Sequence, residues 1–236
     1  MKDILTKGIE SLQLCVTDVM LERFVNYYEL LVDYNKKVNL TAITEPHEVA
    51  TKHFLDSISL LGICDIPIGA SAIDVGTGAG FPGLPLKIVR DDIKLTLVDS
   101  LNKRVEFLKL CCKELSLTNV ECIHARAEEL GHKEEYRQAY DFAFSRAVAN
   151  MATLSEYCLP FVKIGGVFCA YKGPAAEEEL CNAKNAIATL GGGNTCIKMA
   201  HIDQSDMSHS IILVDKINDT ATKYPRSGNK PLNKPI

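Results

Sequence analysis

Four glycines and two carboxylates hold the residue types and spacing most able to do chemistry. Residues 73–83 read Ile73-Asp74-Val75-Gly76-Thr77-Gly78-Ala79-Gly80-Phe81-Pro82-Gly83. Glycines at this spacing accept positive φ and let backbone approach a ligand with no Cβ between them. The apolar run before them reads as a buried strand, and Pro82 or Pro85 suits the first turn of a following helix. In an open α/β sheet, a nucleoside-bearing ligand lies at the turn that leaves the carboxyl end of such a strand. The next strand, Lys94–Asp99, ends in a second carboxylate about 20 residues on, where ribose hydroxyls would donate to it.

Two cofactors fit these letters. Gly78-x-Gly80-x-x-Gly83 satisfies the dinucleotide fingerprint, whose amides face a pyrophosphate. Asp74-x-Gly76-x-Gly78-x-Gly80 is instead similar to the acidic, glycine-rich loop of S-adenosylmethionine (SAM) methyltransferases. Asp99 serves either cofactor. Asp74 favours SAM, because a carboxylate tolerates a sulfonium and an ammonium but repels phosphate. A tight turn with a helix cap is the plainer reading of the same residues.

Elements must be arranged to hold that loop. Thr17 can cap a helix with Met20, Leu21, Phe24, Tyr27, Tyr28 and Leu31 on one face. Thr44 is the expected cap of a second helix, with Pro46 in its first turn, running through His53 and Asp56 toward Leu61. At i, i+3 spacing His53 and Asp56 can pair. Strands and helices then alternate. Helices are expected over 102–115, 151–159 and 175–190, and strands around 120–124, 141–144, 167–171, 196–201 and 211–216. Alternation of this kind predicts an α/β fold, a Rossmann-like and mostly parallel sheet, with the last two strands as an antiparallel closing pair. Residues 1–65 read as an N-terminal helical extension, 66–219 as the main domain and 220–236 as a basic tail.

The chain has 236 residues and a formal net charge of −4, which argues against indiscriminate nucleic-acid binding but leaves room for a local basic patch. No acid occurs from Thr220 to Ile236, where Lys223, Arg226, Lys230 and Lys234 alternate with prolines beside Tyr224. That segment is either an RNA-facing patch or a solvated, disordered tail. Nine cysteines include no C-x-x-C pair, and six histidines form no H-E-x-x-H, so no metal is expected. With no signal peptide and no apolar run of membrane-spanning length, a cytoplasmic protein is expected.

Motifs along the whole chain carry a family resemblance. Asn39-Leu40-Thr41-Ala42-Ile43, His53-Phe54-Leu55-Asp56-Ser57, Asp74 through Pro85, Val98-Asp99-Ser100 with Lys103-Arg104, Arg126-Ala127-Glu128, Ser145-Arg146-Ala147 and Tyr224-Pro225-Arg226 together resemble the RsmG (GidB) family. Its members methylate guanine N7 in 16S rRNA, using SAM. The resemblance implies a class I methyltransferase fold and 16S rRNA or the small-subunit particle as partner; a monomer is expected, though nothing in the sequence fixes the oligomeric state. It places Gly76, Phe81, Ala127, Glu128 and Arg146 against SAM. Asp74, Gly78, Gly80 and Asp99 join this set from the loop argument. Lys103, Arg104, Lys172, Lys223 and Arg226 are the RNA-contact candidates. The segment Asp206–Ser210 does not show the basic residue that relatives would suggest, so no site is carried over there.

Guanine N7 bears a free lone pair on the major-groove edge. Its methylation calls for in-line positioning rather than a general base, and orientation can supply about 7–11 kcal/mol. Accordingly no catalytic residue is assigned, with Arg146 the one candidate, able to hold SAM or read guanine O6/N7. Ser145-Arg146-Ala147 stands where amino-group methyltransferases carry Asn/Asp-Pro-Pro-aromatic, and no Pro-Cys nucleophile is present.

Overall fold

The computed structural model describes residues 1–200 and 209–236. Helices α1 (Lys2–Ser11) and α2 (Asp18–Asn35) open the chain. The short α3 (Pro46–Glu48) runs directly into a π-helical segment, Val49–Leu55, and then into α4 (Asp56–Ile58). There follow β1 (Ser71–Val75), α5 (Gly83–Val89), β2 (Lys94–Asp99), α6 (Asn102–Glu114), β3 (Val120–His124), α7 (Ala127–Leu130) and β4 (Tyr140–Arg146). Next are α8 (Met151–Cys158), β5 (Val162–Lys172), α9 (Ala176–Thr189), β6 (Gly192–Ala200), β7 (His209–Lys216) and a final turn of helix, α10 (Lys230–Asn233).

The strands form one sheet in the order β3-β2-β1-β4-β5-β7-β6. β1 to β5 pair in parallel, and β7 inserts antiparallel between β5 and β6. Strand order reverses beside β1, which opens a crevice over the carboxyl ends of β1 and β4. A helix is expected between parallel strands, and a short link between β6 and β7 forces their antiparallel pairing.

Period-two alternation along the strands divides the core into two layers. Ala72, Leu95, Leu97, Phe142, Phe144 and Tyr171 face the N-terminal helices together with Phe24, Tyr27, Phe54 and Phe107. Ile73, Val75, Val98, Ala143, Phe168 and Ala170 face the opposite layer, with Leu154 of α8 and Ile187 of α9. By the same alternation Arg146, two residues past Phe144, projects toward the N-terminal helices.

The N-terminal helices differ from the sequence reading in three ways. Thr17 does cap α2, accepting from Met20 N at 3.2 Å. The cap of α3, however, is Glu45 and not Thr44, its carboxylate accepting from Glu48 N at 3.0 Å. Pro46 then occupies the first turn, where its missing N–H costs nothing. The expected single helix through His53 is π-helical over Val49–Leu55, a wider turn that periodicity alone does not signal. α1 was not foreshadowed; it buries Leu5 and Ile9 under the same layer. The expected end of the sixth strand at His201 lies outside the described residues.

Candidate active site

The turn between β1 and α5 is held from both sides. Gly76 N and Thr77 N donate to Val98 O at 2.9 and 3.1 Å, and Gly78 N donates to Asp99 Oδ2 at 2.9 Å. Asp99 Oδ1 accepts from Leu101 N at 2.9 Å, and Arg104 lies 3.4 Å from Oδ2. A cavity of about 370 Å³ opens above this turn. Gly76, Asp99, Arg104, Ala127, Glu128 and Tyr157 are among its lining residues. Glu128 is buried and accepts from Arg126 Nε at 2.5 Å, while Arg126 also donates to Asn229 Oδ1 at 2.7 Å.

The loop and the cavity carry groups that suit SAM. At Gly78 φ is +62° and a Cβ would meet no protein atom within 4 Å, so bare backbone there faces open space that a ligand can enter. Carboxylates at Asp99 and Glu128 stand at two places along the cavity, ready to accept from hydroxyl and amino groups.

Asp74 works from beneath the loop. It is fully buried, and its Oδ2 accepts from Thr77 Oγ1 at 2.7 Å and Gly83 N at 2.8 Å. Oδ1 is buried without a partner among the described residues. Burial pushes this carboxyl up to about 7, against the opposing pull of the Thr77 and Gly83 bonds.

A second cavity of about 560 Å³ adjoins the first. Lys52, His53, Asp56, Arg146, Lys172 and Glu179 contribute to its walls, with Tyr171 and His209. Ala147 and Val148 line both cavities and so form the partition between them. Ala147 has a φ of +56°, an uncommon conformation for a residue with a Cβ, and it turns the chain sharply after β4. Arg146 Nη1 donates to the nearly buried Asp56 at 2.6 Å and to the Lys52 carbonyl at 3.3 Å. The guanidinium carbon sits 4.9 Å from the centre of the Phe81 ring, which also stacks on His53 at 4.5 Å. His209 bonds the other Asp56 oxygen, which raises its pKa, whereas burial and the charge of Arg146 push His53 down to about 4. His53 is therefore neutral at physiological pH, and its Nε2 lies 2.9 Å from Thr41 Oγ1.

Comparison with known proteins decides the identity. The model of the GidB family, rRNA small subunit methyltransferase G, matches residues 20–208. The chain belongs to this family. A curated ribosomal RNA small subunit methyltransferase G from Alkaliphilus metalliredigens is 49% identical over 235 residues, covering 100% of this chain and 98% of the relative. One from Clostridium perfringens strain SM101 is 46% identical, covering 99% and 98%. Among solved structures, a predicted O-methyltransferase from Agrobacterium tumefaciens aligns with a TM-score of 0.55 at 14% identity, covering 72% of this chain and 82% of that one. A putative SAM-dependent methyltransferase from Methanococcus maripaludis gives 0.54 at 16%, covering 74% and 92%. These two share the class I methyltransferase fold. As a GidB-family member the chain is a SAM-dependent methyltransferase.

Of the residues that sequence pointed to, this GidB-family chain gathers Gly76, Asp99, Ala127 and Glu128 around the first cavity. Gly78 faces the open side of the loop. Asp74, Gly78, Gly80 and Phe81 are not among that cavity's lining residues. Asp74 braces the loop from below, Gly80 sits against Leu84 and the Tyr27 hydroxyl, and Phe81 supports Arg146. Arg146 itself belongs to the second cavity. His53 and Asp56, expected to pair with each other, meet through Arg146 instead.

The RNA-contact candidates divide sharply. Arg104 lines the first cavity beside Asp99. Lys172 is largely buried, donating to Ala149 O and Glu179 Oε2, both at 2.7 Å. Arg226 is held by the fully buried Glu156, with three side-chain bonds of 2.6 to 3.1 Å from its Nε and Nη2. Lys103 and Lys223 are exposed. The 220–236 segment packs on the domain: Thr153 Oγ1 donates to Pro231 O at 3.0 Å, and Arg137 donates to the Tyr224 and Thr220 carbonyls at 2.9 and 2.6 Å. Sequence reasoning missed Tyr157 in the first cavity and Lys52, Glu179 and His209 in the second. Lys52, beside a quoted motif, and His209, inside the Asp206–Ser210 segment where relatives suggest a site residue, carried signals that could have found them.

Proposed function

We propose that this chain methylates N7 of a guanine in 16S rRNA, as a cytoplasmic monomer acting on the RNA or the small-subunit particle. The observation that carries the reading is the partition: two cavities, one beside the glycine turn and Asp99, meet at Ala147–Val148. Family membership supports rRNA as the substrate, and no helix among the described residues is long and apolar enough to cross a membrane.

SAM, when bound, supplies an electrophilic methyl: the N7 lone pair makes the new N–C bond, the S–C pair stays on sulfur, and no proton leaves. Gly76 and Gly78 would present bare backbone to it, Asp99 would accept from ribose hydroxyls, and Ala127 and Glu128 would border the base. Asp74 would keep the loop in shape from below. Arg146, oriented by Asp56 and by the Lys52 carbonyl, stands beside the partition, ready to hold a donor fork toward whichever partner reaches it. The chain's contribution is orientation, worth about 7–11 kcal/mol in well-aligned cases. In this reading residues 1–65 wall the second cavity, 66–219 hold the cofactor, and 220–236 brace the domain, with Lys103 and Lys223 left as RNA contacts.

The test is incubation of naked small-subunit RNA and of small-subunit particles with methyl-labelled SAM, followed by mass spectrometry of nucleosides. Label in 7-methylguanosine is expected. Label only in another nucleoside, or none on either substrate, would refute the reading.

A further inference from the structure

Glu179 is an acidic side chain in the wall of the second cavity that no part of the cofactor reading uses. It sits in the first turn of α9, after Glu177 and Glu178, which are exposed. Glu179 instead turns inward and is half-buried. Its Oε2 accepts from Met151 N at 2.9 Å and from Lys172 Nζ at 2.7 Å. Lys172 is in turn fixed by Ala149 O, so the carboxylate is clamped between the start of α8 and the end of β5. Among the described residues Oε1 has no partner. The carboxylate is thus pre-oriented with one oxygen uncommitted, beside a cavity that adjoins the methyl-accepting partition. Asp56, the other acid there, has both oxygens committed, one to Arg146 and one to His209.

We propose that Glu179 is the specificity-determining residue for guanine, accepting from the N1–H and N2 amino group of a base unstacked into this cavity. The inference rests on the guanine-N7 reading above. If N7 faces the partition, the opposite edge of the base faces away from it, and guanine alone presents two adjacent donors there. The uncommitted Oε1, with two lone pairs, can accept from both, whereas adenine would set its N1 lone pair against it. Enzymes that act on a base inside structured nucleic acid take it out of the stack and read that edge in a pocket. The carboxylate also favours the reaction electrostatically, since the base gains a positive charge as N7 is methylated. Lys172 then acts as a positioning residue, holding Glu179 in register.

The experiment uses the full-length protein and two RNAs. The methylated nucleotide is first mapped with the wild-type protein. RNA is then assembled by ligation with either guanosine or inosine at that position, inosine lacking only the N2 amino group. Wild type should prefer guanosine over inosine in kcat/KM by roughly 10-fold or more, the scale of one hydrogen bond to a charged group. Glu179→Gln should lower kcat/KM on guanosine RNA by roughly 10- to 100-fold, bring the two RNAs close to parity, and leave the calorimetric SAM affinity within about twofold. If Glu179→Gln slows both RNAs in equal proportion, the residue merely braces α8 and Lys172, and the proposal is overturned. Unchanged kinetics overturn it equally. In both cases methylation by the wild type leaves the guanine-N7 reading standing. Only a wild-type protein that makes no 7-methylguanosine would remove that reading, and this proposal with it.

Discussion

The two cavities that meet at Ala147–Val148 are built by opposite means. The first is built around strand ends: Val75-Gly76 after β1, Val98-Asp99 at the end of β2, Ala125 to Glu128 between β3 and α7, and Ala147-Val148 after β4, with Asp99 and Glu128 as its carboxylate acceptors. Its parts come from consecutive β–α units, and each strand end supplies its piece where the sheet topology demands. The second is made of side chains gathered from the π-helical segment, β4, β5, α9 and β7. It depends on the N-terminal helices lying against the sheet face that Phe142, Phe144 and Arg146 share. A ligand common to a whole fold class can be held by local backbone geometry, while the feature that sets one family apart is assembled at long range.

The sharpest break of this comparison is Gly78→Val. A branched Cβ at φ +62° would enter the open face of the loop, so SAM binding should fall below detection by calorimetry while RNA binding persists. Near wild-type SAM affinity in a folded Gly78→Val protein would show that the loop is not the cofactor cradle. Next in size is Arg226→Ala, which leaves Glu156 buried and unpaired. A loss of about 3–5 kcal/mol in urea denaturation is expected, with a lower melting temperature and no selective loss of RNA affinity. A change confined to the salt dependence of RNA binding would restore Arg226 as a phosphate contact. Asp99→Ala should weaken SAM by about 1–3 kcal/mol, the scale of a charged acceptor removed from its donors. If titration shows SAM affinity intact, the ribose is held elsewhere.

The smallest effect concerns pH. Folding raises the Asp74 carboxyl from the ordinary 3.8 to about 7, so the folded state favours its protonated form. That contribution to stability is complete below about pH 4 and fades as pH climbs through 7. Asp74→Asn removes the titration. Its melting temperature should therefore decline less than that of wild type between pH 4 and 8, and parallel profiles for the two proteins would contradict the buried, unpartnered oxygen.

The same contrast governs what could be read in advance. β1, the glycine turn and the Asp99 strand end were legible because each is set by neighbours within a few residues. Even there, chemistry did not reveal direction: Asp74 belongs to the loop's motif, yet alternation turns it toward α5 and away from the cavity. The π-helical segment was invisible, since Val49–Leu55 satisfies an ordinary helical pattern and only packing selects the wider turn. Glu179 carried no periodic or motif signal that marks a cavity wall. The 220–236 segment misled for a different reason. Its prolines and cations have the composition of a solvated tail, but a fully buried Glu156 on α8 demands a cation, and Arg226 answers it from 70 residues away.

That closing segment ties the cofactor cavity to residues far along the chain. Arg126, a wall of the cavity, bonds Asn229, and Glu156, next to the cavity's Tyr157, is neutralised by Arg226. A cut in the backbone between β7 and Tyr224 would therefore free two braces of the cavity, on α7 and α8, while the sheet and its glycine turn keep their own hydrogen bonds.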